Sequence, residues 1–398
     1  MSLSENKTIV GSPEILSHNL NQYFPELLQF ESIEETEKSE VYQKIRTDVE
    51  RILNAVAVEN YSDETTAKDF VSCVAWNIER GRIFKGILEA LKNHKDLKDK
   101  DLYLLTELDY GMARSENRFV AQEFAKELKL NYAFAPVYIA LQKGSGVEAQ
   151  SAGENTTSIH GLAMFSKFPM KNVHAIPLPN GKDKMFGVEK RLGYLRALIA
   201  DIEHPNGNFR AVTLHLDAHS SRKHRHLQLK LVLEHLKTLP NLPTIIGGDW
   251  NTMTFNSQTS THAILGYWWR VMIGVKNTVK NHFPHPDRHF ERPMFQDLAN
   301  YGFEYEKFNE IGIGTLHYDI ESIEKNTNLR DWVPEWCFPF IFWAARRVGG
   351  KVSVRLDWFA GKEIETVGEP KTIGNLKDAD DVPLSDHDAI GLDFKTKS

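Results

Sequence analysis

Cysteine is nearly absent: Cys73 and Cys337 are the only two in 398 residues. Two thiols cannot build a disulfide framework or a cysteine-ligated zinc site, and a reducing compartment, the cytoplasm, is the expected setting. No basic stretch followed by an apolar core opens the chain, so a secretory leader is not expected. No apolar run reaches about 18 residues, which takes an integral membrane span out of the reading. Positive charge is also short. With 48 Lys and Arg against 54 Asp and Glu, the formal net charge is −6, which argues against bulk attraction to nucleic acid or anionic lipid but leaves room for a local basic patch. Internal repeats and low-complexity tracts are missing too, and nothing marks an obligate protein partner.

What is present is average globular material, 41% hydrophobic and 26% charged, with ample length for a large core. Residues 1 to about 35 are polar and weakly patterned and read as an extended arm. From Val41 onward, Ile45, Val49, Ile52, Leu53 and Val56 follow the spacing of one helix face. The segment 1–67 is therefore an arm plus a helix packing on a main domain, 68–398. Strands are expected at 70–78, 102–105, 160–166, 195–199, 211–216, 244–248, 352–359 and 389–394. Pro205-Asn206-Gly207 makes a hairpin of the fourth and fifth. Helices are expected around Val120, Phe124 and Leu128 and around Leu229, Val232 and Leu233. Many strands with few helices between them predict two packed sheets with helices outside.

Polar residues mark the expected strand ends: Asn77 with Glu79, Glu107, His215, Asp249 with Asn251, Asp357, and Asp386 with His387. Each alone reads as a turn former or a solvated end; six such ends together are a site. Glu107, Glu79 and Asp386 are hard oxygen ligands of the kind Mg²⁺ or Mn²⁺ takes. Asp249 is suited to orient or deprotonate water. His387 beside Asp357 forms a pair that stays protonated near neutral pH. Asn77, Asn251 and His215 are read as donors to phosphate oxygens. Together these parts compose metal-assisted phosphoester hydrolysis.

The stretches Trp76–Glu79, Thr106–Asp109, Thr213–Leu216, Gly247–Asn251, Arg355–Phe359 and Ser385–Asp388 resemble, in order, the motifs of the endonuclease/exonuclease/phosphatase superfamily. The resemblance runs from about 68 to 396. It implies a DNase-I-like fold, a four-layered α/β sandwich of two mixed sheets face to face with helices on both outsides. It also implies that Glu107 is the central metal ligand, Asp249 the water-activating acid, and His387 with Asp357 a contact to the scissile phosphate. Asn77 and Asn251 then support phosphate and Asp249, Asp386 is a metal-side carboxylate, and His215 binds phosphate. Glu79 departs from the Asp of some nuclease members by one methylene.

Three features bear on the substrate, which is expected to be a phosphoester. The polar loop 144–158, with Asn155, reads as a mobile lip carrying binding groups. Arg222 leads a basic run, 222–226, at a helix N-terminus, where an anion would ease the conflict with the helix dipole. An aromatic-rich insertion spans about 253–350, and its run 332–343 reads as core or lid wall; exposed, it would be a lipid contact of a sphingomyelinase-like enzyme. Two other readings stand beside these. His215, Asp217, His219, His224 and His226 could form the zinc cluster of a different hydrolase, and the fold could carry an inactive binding protein.

Overall fold

The computed structural model describes residues 8–252, 256, 259–319, 336 and 338–397. The first strands are β1 (Ile9–Gly11), β2 (Ala55–Glu59), β3 (Val71–Arg80), β4 (Leu102–Tyr110), β5 (Asn131–Ala140), β6 (Ile159–Ser166), β7 (Met170–Leu178) and β8 (Arg191–Gly193). They are followed by β9 (Leu195–Ile202), β10 (Phe209–His215), β11 (Thr244–Asp249), β12 (Leu316–Asp319), β13 (Lys351–Val354), β14 (Asp357–Lys362), β15 (Ile364–Ile373) and β16 (Ala389–Thr396). The helices are α1 (Phe24–Leu27), α2 (Ile33–Lys38), α3 (Glu40–Asn54), α4 (Phe84–Asn93) and α5 (Val120–Leu128). Beyond them come α6 (Arg222–Thr238), α7 (Ser260–Met272), α8 (Val275–Asn277), α9 (Arg292–Asn300) and α10 (Phe338–Arg346).

One sheet has the order β1-β2-β5-β6-β4-β3-β16-β15, with β8 beside β5; the second runs β14-β11-β10-β9-β7. Both are mixed, since β3–β4 and β10–β11 pair parallel while β16 and β14 join antiparallel. Leu104 and Met164 of the first sheet share one core with Ile246 and Phe359 of the second. Helices α3, α4 and α5 bury Ile45, Ile87 and Phe124 in a second core against the first sheet. Helices α6 and α9 add Leu229, Val232 and Phe295 to the shared core. The expected four-layered sandwich is the architecture found.

Alternation gave no signal for β5 because it is buried along its whole length, as strands covered on both faces are; β6, expected at 160–166, is buried throughout as well. The stretch 352–359 is not one strand. It breaks at Arg355-Leu356 into β13, which pairs with β12, and β14, which joins the second sheet. The Arg355 guanidinium holds the break, donating to the carbonyls of Glu310 and Ile313.

Residues 8–35 do not form an extended arm. Leu16, Leu20, Phe24 and Leu27 are buried with Val41, Ile45, Val49 and Ile52 of α3, and β1 adds a parallel edge to β2. Ser39 caps α3 by accepting from the Tyr42 amide, a contribution of about 1 kcal/mol. The helix stops at Asn54, so Val56 belongs to β2 rather than to the helix face.

Gly247 and Gly248 lie inside β11 and make no turn. A side chain at Gly247 would strike Phe359 and, across the sheets, Leu104, so this glycine sets the inter-sheet spacing. Gly248 sits at φ +135°, where a Cβ would meet the Leu214 carbonyl at 2.1 Å. Only glycine fits there.

Candidate active site

Topology brings the marked residues to one rim. Parallel β3 and β4 end there with Asn77, Glu79 and Glu107, and parallel β10 and β11 end there with His215 and Asp249. Antiparallel β14 and β16 begin there, at Asp357 and just after His387. Register shifts interrupt β3 between Asn77 and Arg80 and β4 between Leu105 and Leu108. Glu79, Arg80 and Glu107 take positive φ of 45°, 68° and 57°. Such bulged positions cost about 1–3 kcal/mol each and re-aim side chains at functional rims.

Asp249 is the hub. Its Oδ1 accepts from the Asn251 amide at 2.8 Å, and its Oδ2 accepts from Asn251 Nδ2 and Asn77 Nδ2 at 3.1 Å each. Asn77 Nδ2 also donates to Glu107 Oε1 at 3.1 Å, while Asn251 Nδ2 also donates to the Leu216 carbonyl at 3.0 Å. An amide nitrogen carries two hydrogens. Both are spent in each Asn, on Asp249 and Glu107 for Asn77 and on Asp249 and the Leu216 carbonyl for Asn251, so both hold Asp249. The donors left facing it are His215 Nε2 at 3.6 Å and His387 Nε2 at 3.8 Å.

His387 is oriented from several sides. Its Nδ1 lies 2.8 Å from Asp357 Oδ2, its amide donates to Ser385 Oγ, and its carbonyl accepts from Trp76 Nε1. Burial opposes charging the ring, but Asp357 and Asp249 overcome it and hold the pKa well above the ordinary histidine range. Burial pushes the Asp249 carboxyl up, with Asp357 adding to it against His387 and His215. The other Asp357 oxygen, Oδ1, is buried without a hydrogen-bond partner among the described residues.

The acidic side of the rim is under like-charge stress. Glu79 is pushed up to about 7, by burial first and then by Asp386. Asp386 is raised as well, by the crowding chain and by Glu107 and Asp249 against His387, although it stays exposed at the rim. Glu107 goes the other way. Burial alone would raise it, but Arg80, with NH1 at 3.6 Å, and His215 hold it far below the usual carboxylate range. Carboxyls that resist ionising beside one already ionised fit a divalent cation, which would remove the repulsion. Asp249, Asp357 and His387 also offer ligand atoms all within 4.8 Å of one another. Asp357 and Asp249 favour the charged form of the His387 ring, which has no free lone pair to offer a metal.

Beneath this rim is a buried ionic network that the motifs did not announce. Arg114 makes two bonds to Asp109, 2.8 and 3.1 Å, and reaches Glu148 at 2.9 Å and Glu189 at 3.3 Å. His160 Nδ1 completes Asp109 at 2.8 Å, and Arg80 links Glu148 (3.2 Å) to Glu107. Asp109 follows Glu107 by two positions on β4, the one signal that was available.

Other expected residues bond to other partners. Asn155 accepts from the Ala113 amide and donates to the Gln142 carbonyl, a loop staple without a bond to the cluster. The loop 144–158 is tied down rather than a loose lip: Thr156, Thr157 and Ser158 amides share the Gly111 carbonyl, and His18 reaches the Thr157 carbonyl. Arg222 does begin α6, but its guanidinium lies over the Phe290 ring. Its neighbours disperse, Arg225 to Glu291 and His226 to Asp297. The histidine cluster is not assembled either: His215 faces Asp249, His224 the Pro179 carbonyl and His226 Asp297. In the aromatic run, Trp332 to Glu335 and Cys337 lie outside the described residues. Trp336, Phe340 and Trp343 are exposed rather than core, and Ile341 and Phe342 are half-buried. Among the described residues no helix is long and apolar enough to cross a membrane.

A comparison with curated protein sequences finds no match. Among solved structures the chain is similar to an endonuclease/exonuclease/phosphatase from Beutenbergia cavernae DSM 12333, with 14% identity over 83% of this chain and 72% of that one, at TM-score 0.48. It is similar to the human Nocturnin catalytic domain, with 14% identity over 84% and 97% of the two chains, at TM-score 0.45. It is similar to D. rerio TDP2 complexed with a single-strand DNA product, with 16% identity over 83% and 100%, at TM-score 0.45. The model of the Endonuclease/Exonuclease/phosphatase family matches residues 74–387, most of the chain, and the chain belongs to that family.

Proposed function

We propose that this chain hydrolyses a phosphodiester in the presence of Mg²⁺ or Mn²⁺, by in-line attack of a water directed by Asp249. Family membership supports a hydrolase of phosphoester bonds; the choice of a diester rests on analogy within the family. The observation that carries the reading is the convergence on Asp249: two Asn donors fix its carboxylate, and the His387–Asp357 pair stands 3.8 Å away.

In this reading Asp249, made more basic by burial, draws the proton from the attacking water as the new P–O bond forms. His387, kept cationic by Asp357, donates to a phosphoryl oxygen as charge develops there, and His215 does the same from the other side. Asn77 and Asn251 keep Asp249 in place and touch no substrate. Glu107 would hold the metal, with Asp386 and Glu79 beside it. When bound, the cation neutralises charge on the phosphoryl oxygens as the leaving P–O bond breaks.

The test is a panel of bis(p-nitrophenyl) phosphate, intact and abasic DNA, RNA, sphingomyelin and inositol phosphates, run with Mg²⁺ or Mn²⁺. Metal-dependent release of product from at least one ester, lost in Asp249→Ala, is the expected result. Hydrolysis of none would overturn the proposal, and rescue by Zn²⁺ alone would reassign the metal.

A further inference from the structure

We propose that helices α7 and α10 form a docking face for an anionic lipid surface. The two helices are one unit: the Tyr267 hydroxyl donates to the Phe340 carbonyl at 2.6 Å, and the Trp268 and Phe340 rings meet at 5.6 Å. On α7 the apolar residues Leu265, Trp268, Trp269 and Met272 recur at i, i+3, i+4 and i+7. That is the stripe a helix normally turns toward a core. Here it faces out, with Met272 73%, Leu265 64% and Trp269 53% exposed. Phe340 and Trp343 of α10 extend the patch, while Ala344 and Ala345 take the buried side. Contiguous apolar surface of this kind marks an interaction site.

Charge chooses the occupant. The chain carries a net −6, yet no Asp or Glu occurs from 250 to 286 or from 338 to 350. The same stretches hold Lys276, Lys280, Arg346 and Arg347, all exposed. The Arg347 guanidinium lies 4.0 Å from the centre of the Trp343 ring, so cation and aromatic are presented together. Indole rings seek the lipid headgroup level, and cations of a single sign around them match an anionic surface. The face is also joined to the chemistry: β13 follows α10 and runs through Arg355-Leu356 into Asp357, the partner of His387.

The experiment is co-sedimentation of the full chain with vesicles of phosphatidylcholine alone or with phosphatidylserine added. Hydrolysis of soluble bis(p-nitrophenyl) phosphate is read in parallel. Binding to the serine-containing vesicles is expected, weakened by salt at about 0.5 M. Trp269→Ser with Met272→Ser, and separately Arg346→Glu with Arg347→Glu, should each lower partitioning about tenfold or more and leave soluble-ester hydrolysis within about twofold. No binding at saturating lipid, binding that ignores both variants, or a dimer in sedimentation velocity that the apolar variant dissolves would overturn the proposal. Vesicle binding without any ester hydrolysis would instead sink the phosphoesterase reading and leave the docking face standing.

Discussion

Asn77, on the first sheet, donates to Asp249, on the second, at 3.1 Å, and so ties the two layers together at the rim. The same nitrogen reaches Glu107 at 3.1 Å, which makes one amide the spacer between the expected metal ligand and the expected base. Asn77→Ala should lower kcat about 10²-fold with a smaller change in KM. It should also move the acidic limb of the pH–rate profile upward, because a carboxylate that loses a donor binds its proton more tightly. An unmoved limb with kcat near wild type would remove Asn77 from the site.

Asp249→Ala and His387→Ala test the two reacting groups directly. Each should cost on the order of 10³-fold or more in turnover, since groups that act as a unit fail together. Circular dichroism should show the fold retained. Activity within about tenfold of wild type in either variant would withdraw its role.

Metal dependence should carry a pH signature. The Glu79 carboxyl is raised from 4.5 to about 7, so in the metal-free chain it keeps its proton through the mildly acidic range. A cation must displace that proton, and affinity for Mn²⁺ measured by titration calorimetry should weaken as pH falls below about 7. The stability sign is opposite: between about 4.5 and 7 the folded chain binds more protons than the unfolded one, so Glu79 makes the metal-free fold less stable as pH rises. Glu79→Gln should flatten both dependences. Metal affinity that does not change with pH would place Glu79 outside the cation's reach.

Arg114 is buried and serves Asp109, Glu148 and Glu189 at once. Arg114→Met leaves those carboxylates buried without their shared cation, and a loss of about 3–5 kcal/mol in urea unfolding is expected. The acidic rim should loosen too, because Glu148 is what holds Arg80 beside Glu107. A midpoint within error of wild type would show the network to be replaceable.

Much of the site was legible because its residues are short-range exceptions to pattern. Asp249 and Asn251 follow an apolar run, and His215, Glu107 and Asp357 sit where strand patterning falters, so the six marked ends could be read without coordinates. The hairpin of β9 and β10 was legible for the same local reason, a Pro-Asn-Gly turn between two apolar runs. Asn155 and Arg222 were assigned to substrate from loop and charge composition. Composition does not say where a side chain finds its partner, and theirs are a backbone staple and an aromatic ring.

By itself, then, the chain of residues determined the family and the two-sheet architecture and marked the polar strand ends that gather at one rim, because strand periodicity and motif order are local properties. Only the tertiary structure decided that the Asn amides reach Asp249, Glu107 and the Leu216 carbonyl, since hydrogen-bond valence is known only when every partner is in place. It also decided that Gly247 sets the sheet spacing and that the α7 stripe faces outward. Burial is a property of what lies opposite a residue, and what lies opposite comes from strands and helices far away along the chain.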